Sequence, residues 1–261
     1  MFDTMTRKLH AKSAALLVSI ESSLEKIMLY WLLVAGLVAA ARLWVTPIPT
    51  GIEAGTIAPY ILLILAPIAS MVLALRWFHD GDRLPQPAFR LARISKWRAI
   101  DRVSAFRHPL YGAGGIMVSL LVGMLLNVPV RAVEYFAAMP PIAGPVPQWL
   151  GMLRLMMTLD VVLLSSLYCI AFVAALRRVP LFPRLLVAIW ALDLVIQVGT
   201  GQLVAGMSDL PANVADALQP VLTGNIKKAM ISIVLWAPYL LLSTRVNVTY
   251  RHRVPALSNA S

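Results

Sequence analysis

Asp160 and Asp193 each stand inside a long apolar run, and Gln197 follows Asp193 by four residues. That spacing places Asp193 and Gln197 on one helix face. An ionisable group at membrane depth costs about 2.5–3.5 kcal/mol on insertion scales, so it faces protein or water and often has a role. Two readings follow for Asp160, Asp193 and Gln197. In the first they form an intramembrane polar site, a proton relay or a site for a polar solute. In the second the carboxyls are protonated or hydrogen-bonded to Asn127, Ser165, Ser166 or backbone, and simply fix helix packing. Arg42 and Arg154 are the candidate ion partners for Asp160. Just beyond, Gly199-Thr200-Gly201 either lets its helix approach a neighbour closely or unwinds it.

Other reactive residue types are sparse. His79-Asp80-Gly81-Asp82 and His108 are metal-capable side chains of one loop, but two distant histidines with loop acids are a weak ligand set. A polar turn leaving a helix explains them better. Gly112, Gly114 and Gly115 follow His108-Pro109 and suit a helix start with close contact, not a phosphate loop, because no G-x-x-x-x-G-K-[ST] follows a strand. Cys169 is the single cysteine, so no intrachain disulfide or C-x-x-C site exists. No H-E-x-x-H, G-x-S-x-G or EF-hand pattern occurs. The sequence therefore points to no catalytic residue, metal or cofactor.

The elements that carry these residues are membrane spans. Of 261 residues, 59% are hydrophobic and 13% are charged. Ordinary soluble domains carry roughly 25% charged residues. Too little charged surface remains to keep such a chain dissolved, so lipid is the solvent for most of it. Six apolar segments are long enough to cross, near residues 27–45, 57–77, 110–128, 155–176, 185–207 and 229–243. The fold class is all-α, a six-span polytopic bundle in one membrane domain. The fifth span is the weakest, interrupted by Asp193, Gln197 and the 199–202 stretch.

Charge gives the direction. Eighteen of the 23 Lys and Arg residues fall in the N-terminal segment, the second and fourth connections and the tail; Arg42, Arg131, Arg154, Lys227 and Lys228 fall on the other side. The positive-inside rule then places both termini in the cytoplasm. Net charge is +11, but no nucleic-acid recognition motif is present. The basic residues instead flank apolar runs, where anionic headgroups are their partners. The short apolar stretch at 14–20 lacks a clear cleavage site, so residues 1–26 are expected to stay, either as an interfacial helix or as a solvated extension of the first span. Phe2, Met5, Leu9, Leu16, Ile20 and Leu24 lie near one face of it. In the basic loop 78–109, Leu91, Ile94, Trp97, Ile100 and Val103 recur every three residues, which predicts an oblique apolar stripe on a second interfacial helix or a docking site for a protein partner. Further short helices are expected over 131–139 and 212–218.

The last span has the most distinctive text. Pro238 removes a helix hydrogen bond and predicts a kink, with Trp236 and Tyr239 packed beside it. Ser243 is expected to cap or hydrogen-bond near the helix end, and Arg245 to anchor at the inner headgroups. Residues 236–250 read WAPYLLLSTRVNVTY. They resemble the signature W-x-P-Y-x-x-x-S-x-R-V-x-x-T-[FY] of the bacterial inner-membrane family known as domain of unknown function 2569. The resemblance implies a bacterial inner-membrane location, supplies no activity or catalytic residue to carry over, and leaves the first hundred residues of this longer chain uncovered.

Three function classes fit. An accessory, assembly or scaffold subunit working through protein and lipid contacts explains the lack of motifs and the interfacial segments. A small transporter or channel would use Asp160, Asp193 and Gln197. A lipid-active membrane enzyme would use His79, Asp80, Asp82 or His108. No repeat of three plus three spans is evident.

Overall fold

A computed structural model describes residues 2–47, 51, 53–88 and 97–256, with side chains from Lys12 onward. In chain order the helices are α1 (Phe2–Ser22), α2 (Leu24–Val45), α3 (Ala54–Trp77), α4 (Arg102–Arg107), α5 (Met117–Ala138), α6 (Gln148–Leu176), α7 (Phe182–Ala205), α8 (Ala212–Leu242) and α9 (Thr244–Arg251). Two short strands, β1 (Trp97–Ala99) and β2 (Arg253–Pro255), pair antiparallel. Six of the helices, α2, α3, α5, α6, α7 and α8, are long and apolar enough to cross a membrane.

α6 is the central staff. It packs along α3, α5 and α7, while α8 packs on α7 and α2 on α3. Its small residues explain the choice: Ser165, Cys169, Ala171, Ala174 and Ala175 are buried, and short side chains let neighbouring backbones approach. α2 is peripheral, and Leu29, Leu33, Val34 and Leu37 project from it. The exposed rings of Trp44 and Trp77 lie at opposite ends of the bundle, as interfacial aromatics do.

Several edges differ from expectation. The third span does not begin at residue 110. Residues 110–116 are irregular, with φ of +105° at Gly112 and +67° at Gly115. Its helix starts at Met117, runs through Pro129 and absorbs the short helix expected over 131–139. The buried face continues past the proline through Val128, Ala132, Tyr135 and Phe136, and continued burial outweighs one missing donor. The fifth span is unbroken from Phe182 to Ala205. The sixth begins at Ala212, includes the expected 212–218 helix, and passes through both Pro220 and Pro238. The chain leaves helical geometry at Ser243, not at Pro238.

The helix expected in the basic loop is also corrected. Trp97–Ala99 is a strand, because the tail supplies a partner edge and Ile100 N donates to the His252 carbonyl at 3.0 Å. A helix forms only after Asp101, whose carboxylate accepts from Ser104 N at 3.1 Å. That cap holds the exposed Asp101 carboxyl below the usual carboxylate range. Leu91 and Ile94 lie outside the described residues, as do the side chains of Phe2, Met5 and Leu9. The second half of α1 is docked rather than free: Ser13 Oγ accepts from Gly115 N at 3.0 Å, and Glu21 pairs with Arg177 at 3.3 Å.

α9 closes this basic end. Tyr250, 1% exposed, donates to the Ala175 carbonyl at 2.8 Å and packs on Phe182. Burial pushes the Tyr250 phenol well above its ordinary pKa, so it stays a donor. The turn after α3 touches the turn after α6 so closely that a Cβ at Gly81 would lie 2.7 Å from the Arg177 carbonyl oxygen.

Tyr250→Phe is expected to destabilise by about 1 kcal/mol, the worth of one buried hydrogen bond. Gly81→Ala should cost more, since backbone must move, whereas Gly36→Ala in α2, with nothing within 4 Å of the new methyl, should be neutral or stabilising. Denaturant unfolding in mixed micelles reads the order, and a Gly81→Ala protein as stable as Gly36→Ala would contradict the contact.

Candidate functional site

The two intramembrane aspartates meet, and a third residue joins them. Arg131, on α5, extends its guanidinium between α6 and α7. Nη1 donates to Asp160 Oδ2 at 2.8 Å, Nη2 donates to Asp193 Oδ2 in a close contact, and Nε donates to Asn127 Oδ1 at 2.7 Å. The ring of Tyr168 lies 5.9 Å from the guanidinium carbon. Gln197, one turn from Asp193, donates through Nε2 to Asp160 Oδ1 at 2.9 Å. Asn225 on α8 then donates to Gln197 Oε1 at 3.4 Å, and Lys228 reaches both Asn225 and Glu134. A polar chain thus runs from α5 through α6 and α7 to α8.

Each helix brings its member by ordinary periodicity. On α5, Val128, Ala132, Tyr135 and Phe136 form the buried stripe, and Arg131 stands within it. On α7, Ile189, Asp193, Gln197 and Thr200 are buried at helical spacing. Asp193 lies 11 residues into a 24-residue helix, about 16 Å from its start. That is close to the middle of a hydrocarbon core about 30 Å thick.

Two cavities border the cluster, a small one of about 60 Å³ that touches Arg131, Asp193 and Asn225 and a much larger one on the Asp160 side. The larger, of about 510 Å³, is lined by Arg131, Asp160, Gln197, Thr200 and Asn225, with Leu153, Met157 and Leu218 towards the end away from the basic loops. The side chain of Asp160 is 19% exposed and that of Asp193 only 5%. Towards the basic end the space is filled by Leu164, Phe172, Leu186 and Trp190, all buried. The Lys228–Glu134 pair is well exposed beside the opening.

Of the expected site, the structure therefore joins Asp160, Gln197 and Asp193 through Arg131. The partners proposed for Asp160 are wrong. Arg154 instead donates to the carbonyls of Ile142 and Gly55 at the bundle end, and Arg42 Nε is buried without a hydrogen bond. Asn127 serves Arg131 rather than either carboxyl, and Ser165 Oγ has no partner. Gly199-Thr200-Gly201 does not unwind; a Cβ at Gly201 would meet Leu222 at 3.2 Å, so close packing on α8 is its use. Arg131 and Asn225 were missed. The signal for Arg131 lay in the apolar stripe that continues past Pro129 and makes it an intramembrane charge in need of partners.

The C-terminal residues lie at the basic end, apart from this cluster. Trp236 and Tyr239 stack edge-on with centroids 5.9 Å apart. Ser243 accepts at its carbonyl from Asn247. Arg245 is not turned to headgroups alone: it is half-buried over Gly114 and Gly115 and donates to the Gly112 carbonyl at 3.3 Å, while Thr249 Oγ1 accepts from Gly112 N at 3.0 Å. Of the loop residues proposed for an enzyme, His79 Nδ1 lies 3.6 Å from Asp80 Oδ1. His79 and Asp80 are exposed, and the described residues contain no group of three or more metal-capable side chains. No family model, curated protein or solved structure matches the chain.

Arg131→Gln leaves two carboxylates without their cation in a low-dielectric site, which is expected to cost about 3–5 kcal/mol. Replacing Arg131, Asp160 and Asp193 together with Met, Leu and Leu should recover most of that loss, because no lone charge remains. Thermal unfolding in detergent separates the two; a triple variant no more stable than Arg131→Gln alone would refute the charge-pairing account.

Proposed function

We propose that this protein is a small transporter that carries a positively charged solute or couples to protons through the Asp160–Arg131–Asp193 cluster. The carrying observation is a buried charge cluster at mid-membrane depth on the wall of a cavity that ends there. The local charges are Asp160, Asp193 and Glu134 against Arg131 and Lys228, which leaves one negative charge in excess when all are ionised. Such a site attracts a proton or a cationic group.

Asp160 is the contact residue, since it alone of the two aspartates is substantially exposed to the cavity. A cation or proton on Asp160 weakens its hold on Arg131, which then belongs to Asp193 alone. The pairing that ties α5 to α6 is loosened, and the apolar plug formed by Phe172, Leu186 and Trp190 is the barrier that must open next. Binding on one side is thus linked to a change in helix packing, the minimum an alternating-access protein needs. The charge asymmetry supports an orientation with both termini in the cytoplasm, so the cavity opens outward. A bacterial inner membrane rests on the resemblance of residues 236–250.

A second reading, an accessory subunit, draws on α8. Among its 31 residues only Ala229 and Leu240 are buried, and Ile231, Val234 and Leu235 project from it. That face suits another membrane helix as well as lipid.

Proteoliposomes on a solid-supported membrane, with alkali cations, ammonium, polyamines and amino acids applied under a pH gradient, test transport. A transient current is expected for at least one solute, lost in Asp160→Asn and Asp193→Asn and kept in Lys227→Gln. Absence of any current, together with a stoichiometric partner that co-purifies in mild detergent and is lost on polar substitution of Ile231 and Val234, would replace this reading with the accessory one.

A further inference from the structure

A second polar cavity lies at the basic end, far in the fold from the charge cluster. It has a volume of about 140 Å³ and is lined by Arg184, Arg251, His252 and Arg253, with Gln86, Pro87, Ala99, Ile100, Pro180 and Pro183 completing it. Among the described residues that line it there is no carboxylate, the nearest acid acting on the wall being Asp101 beside His252. Three separate parts of the chain make it: the α6–α7 turn brings Arg184, the end of α9 brings Arg251, and β2 brings Arg253. His252 has a left-handed backbone with φ of +48°, and this reverses the chain from α9 into β2. The pairing of β2 with β1 then closes the wall formed by Ala99 and Ile100.

We infer that this groove binds a phosphate group, either of an anionic lipid headgroup or of a free phosphate compound. Arg251 is held rigidly by neutral acceptors: Nη1 donates to the Leu240 carbonyl at 2.9 Å and to Asn247 Oδ1 at 3.0 Å. Neither acceptor neutralises it. Burial, then the nearby Arg253 and Arg184, push the Arg251 pKa down to about 10, still charged at neutral pH. The like charges of Arg184 and Arg251, brought together in a half-buried groove, are stabilised by an anion that enters it. Arginine forks suit tetrahedral oxyanions, which they grip through paired N–H donors.

The position fits a headgroup. Leu181 and Val187, exposed on the same turn and the first turns of α7, place apolar surface beside the groove. Acyl chains covering that surface would bring a phosphodiester to the arginines. A soluble phosphate compound reaches the same atoms from the aqueous side, so the chemistry is shared and only the source differs.

The test uses the full-length protein and two probes. Inorganic phosphate is titrated calorimetrically in zwitterionic nanodiscs, and retained lipid is counted by native mass spectrometry after release from phosphatidylglycerol nanodiscs. Arg184→Gln is the principal variant, since Arg184, unlike Arg251, fastens no backbone group. Arg253→Gln is the second, and circular dichroism confirms that both fold. Saturable phosphate binding weakened about tenfold by either variant, the effect of losing one charge-assisted contact, assigns a free phosphate. One retained phosphatidylglycerol, lost about tenfold in the variants with no phosphate titration, assigns a headgroup. Phosphate and lipid signals that both ignore the two substitutions, or chloride binding as tight as phosphate, would overturn the inference.

Discussion

A guanidinium cannot rest alone in hydrocarbon, and that single constraint organises the middle of this protein. Arg131 is carried into the membrane by a helix whose other buried residues are apolar. Its five donors must be answered largely from neighbouring helices, because hydrocarbon offers no acceptor at that depth. Asp160 and Asp193 answer from α6 and α7, and Asn127 answers from the same helix. The rotation of three helices about their axes is thereby set by one planar group. Gln197 and Asn225 extend the tie to α8, a helix that buries little apolar surface of its own.

The same arrangement is what makes a functional site credible. Here Asp160 borders a cavity of about 510 Å³, while its partner Asp193 is shielded from it. One carboxylate faces that cavity, and the other is packed away from it beside the same arginine. In the transport reading proposed above, this inequality is what would let a bound charge redistribute the pairing, whereas two equivalent carboxylates would offer no direction.

The basic end is built on a different principle, long-range pairing of chain ends. α9 folds back under the bundle, where Tyr250 reaches Ala175, and Arg245 and Thr249 hold the glycine-rich entrance to α5. Only Gly at 112 and 115 accommodates the positive φ angles of that entrance without strain. β2 then finds β1, more than 150 residues earlier in the chain. The arginines of the α9–β2 junction are gathered around one groove as a consequence.

The six spans, their apolar character and the segregation of basic residues were legible from composition and periodicity, because each depends on local sequence and on the solvent that surrounds it. Asp160, Asp193 and Gln197 were legible as a site for the same reason: a polar group in an apolar run is costly wherever the run packs. Partner choice was not legible. Arg131 looked like a residue of an external connection because Pro129 reads as a helix end, yet the continued burial of Ala132, Tyr135 and Phe136 carries the helix through it. The strand at Trp97–Ala99 depends on a tail edge that no local pattern announces. Burial and strand pairing are decided between segments distant in sequence, so only the tertiary structure determined which cation meets which acid, where the cavity ends and what the last helix closes.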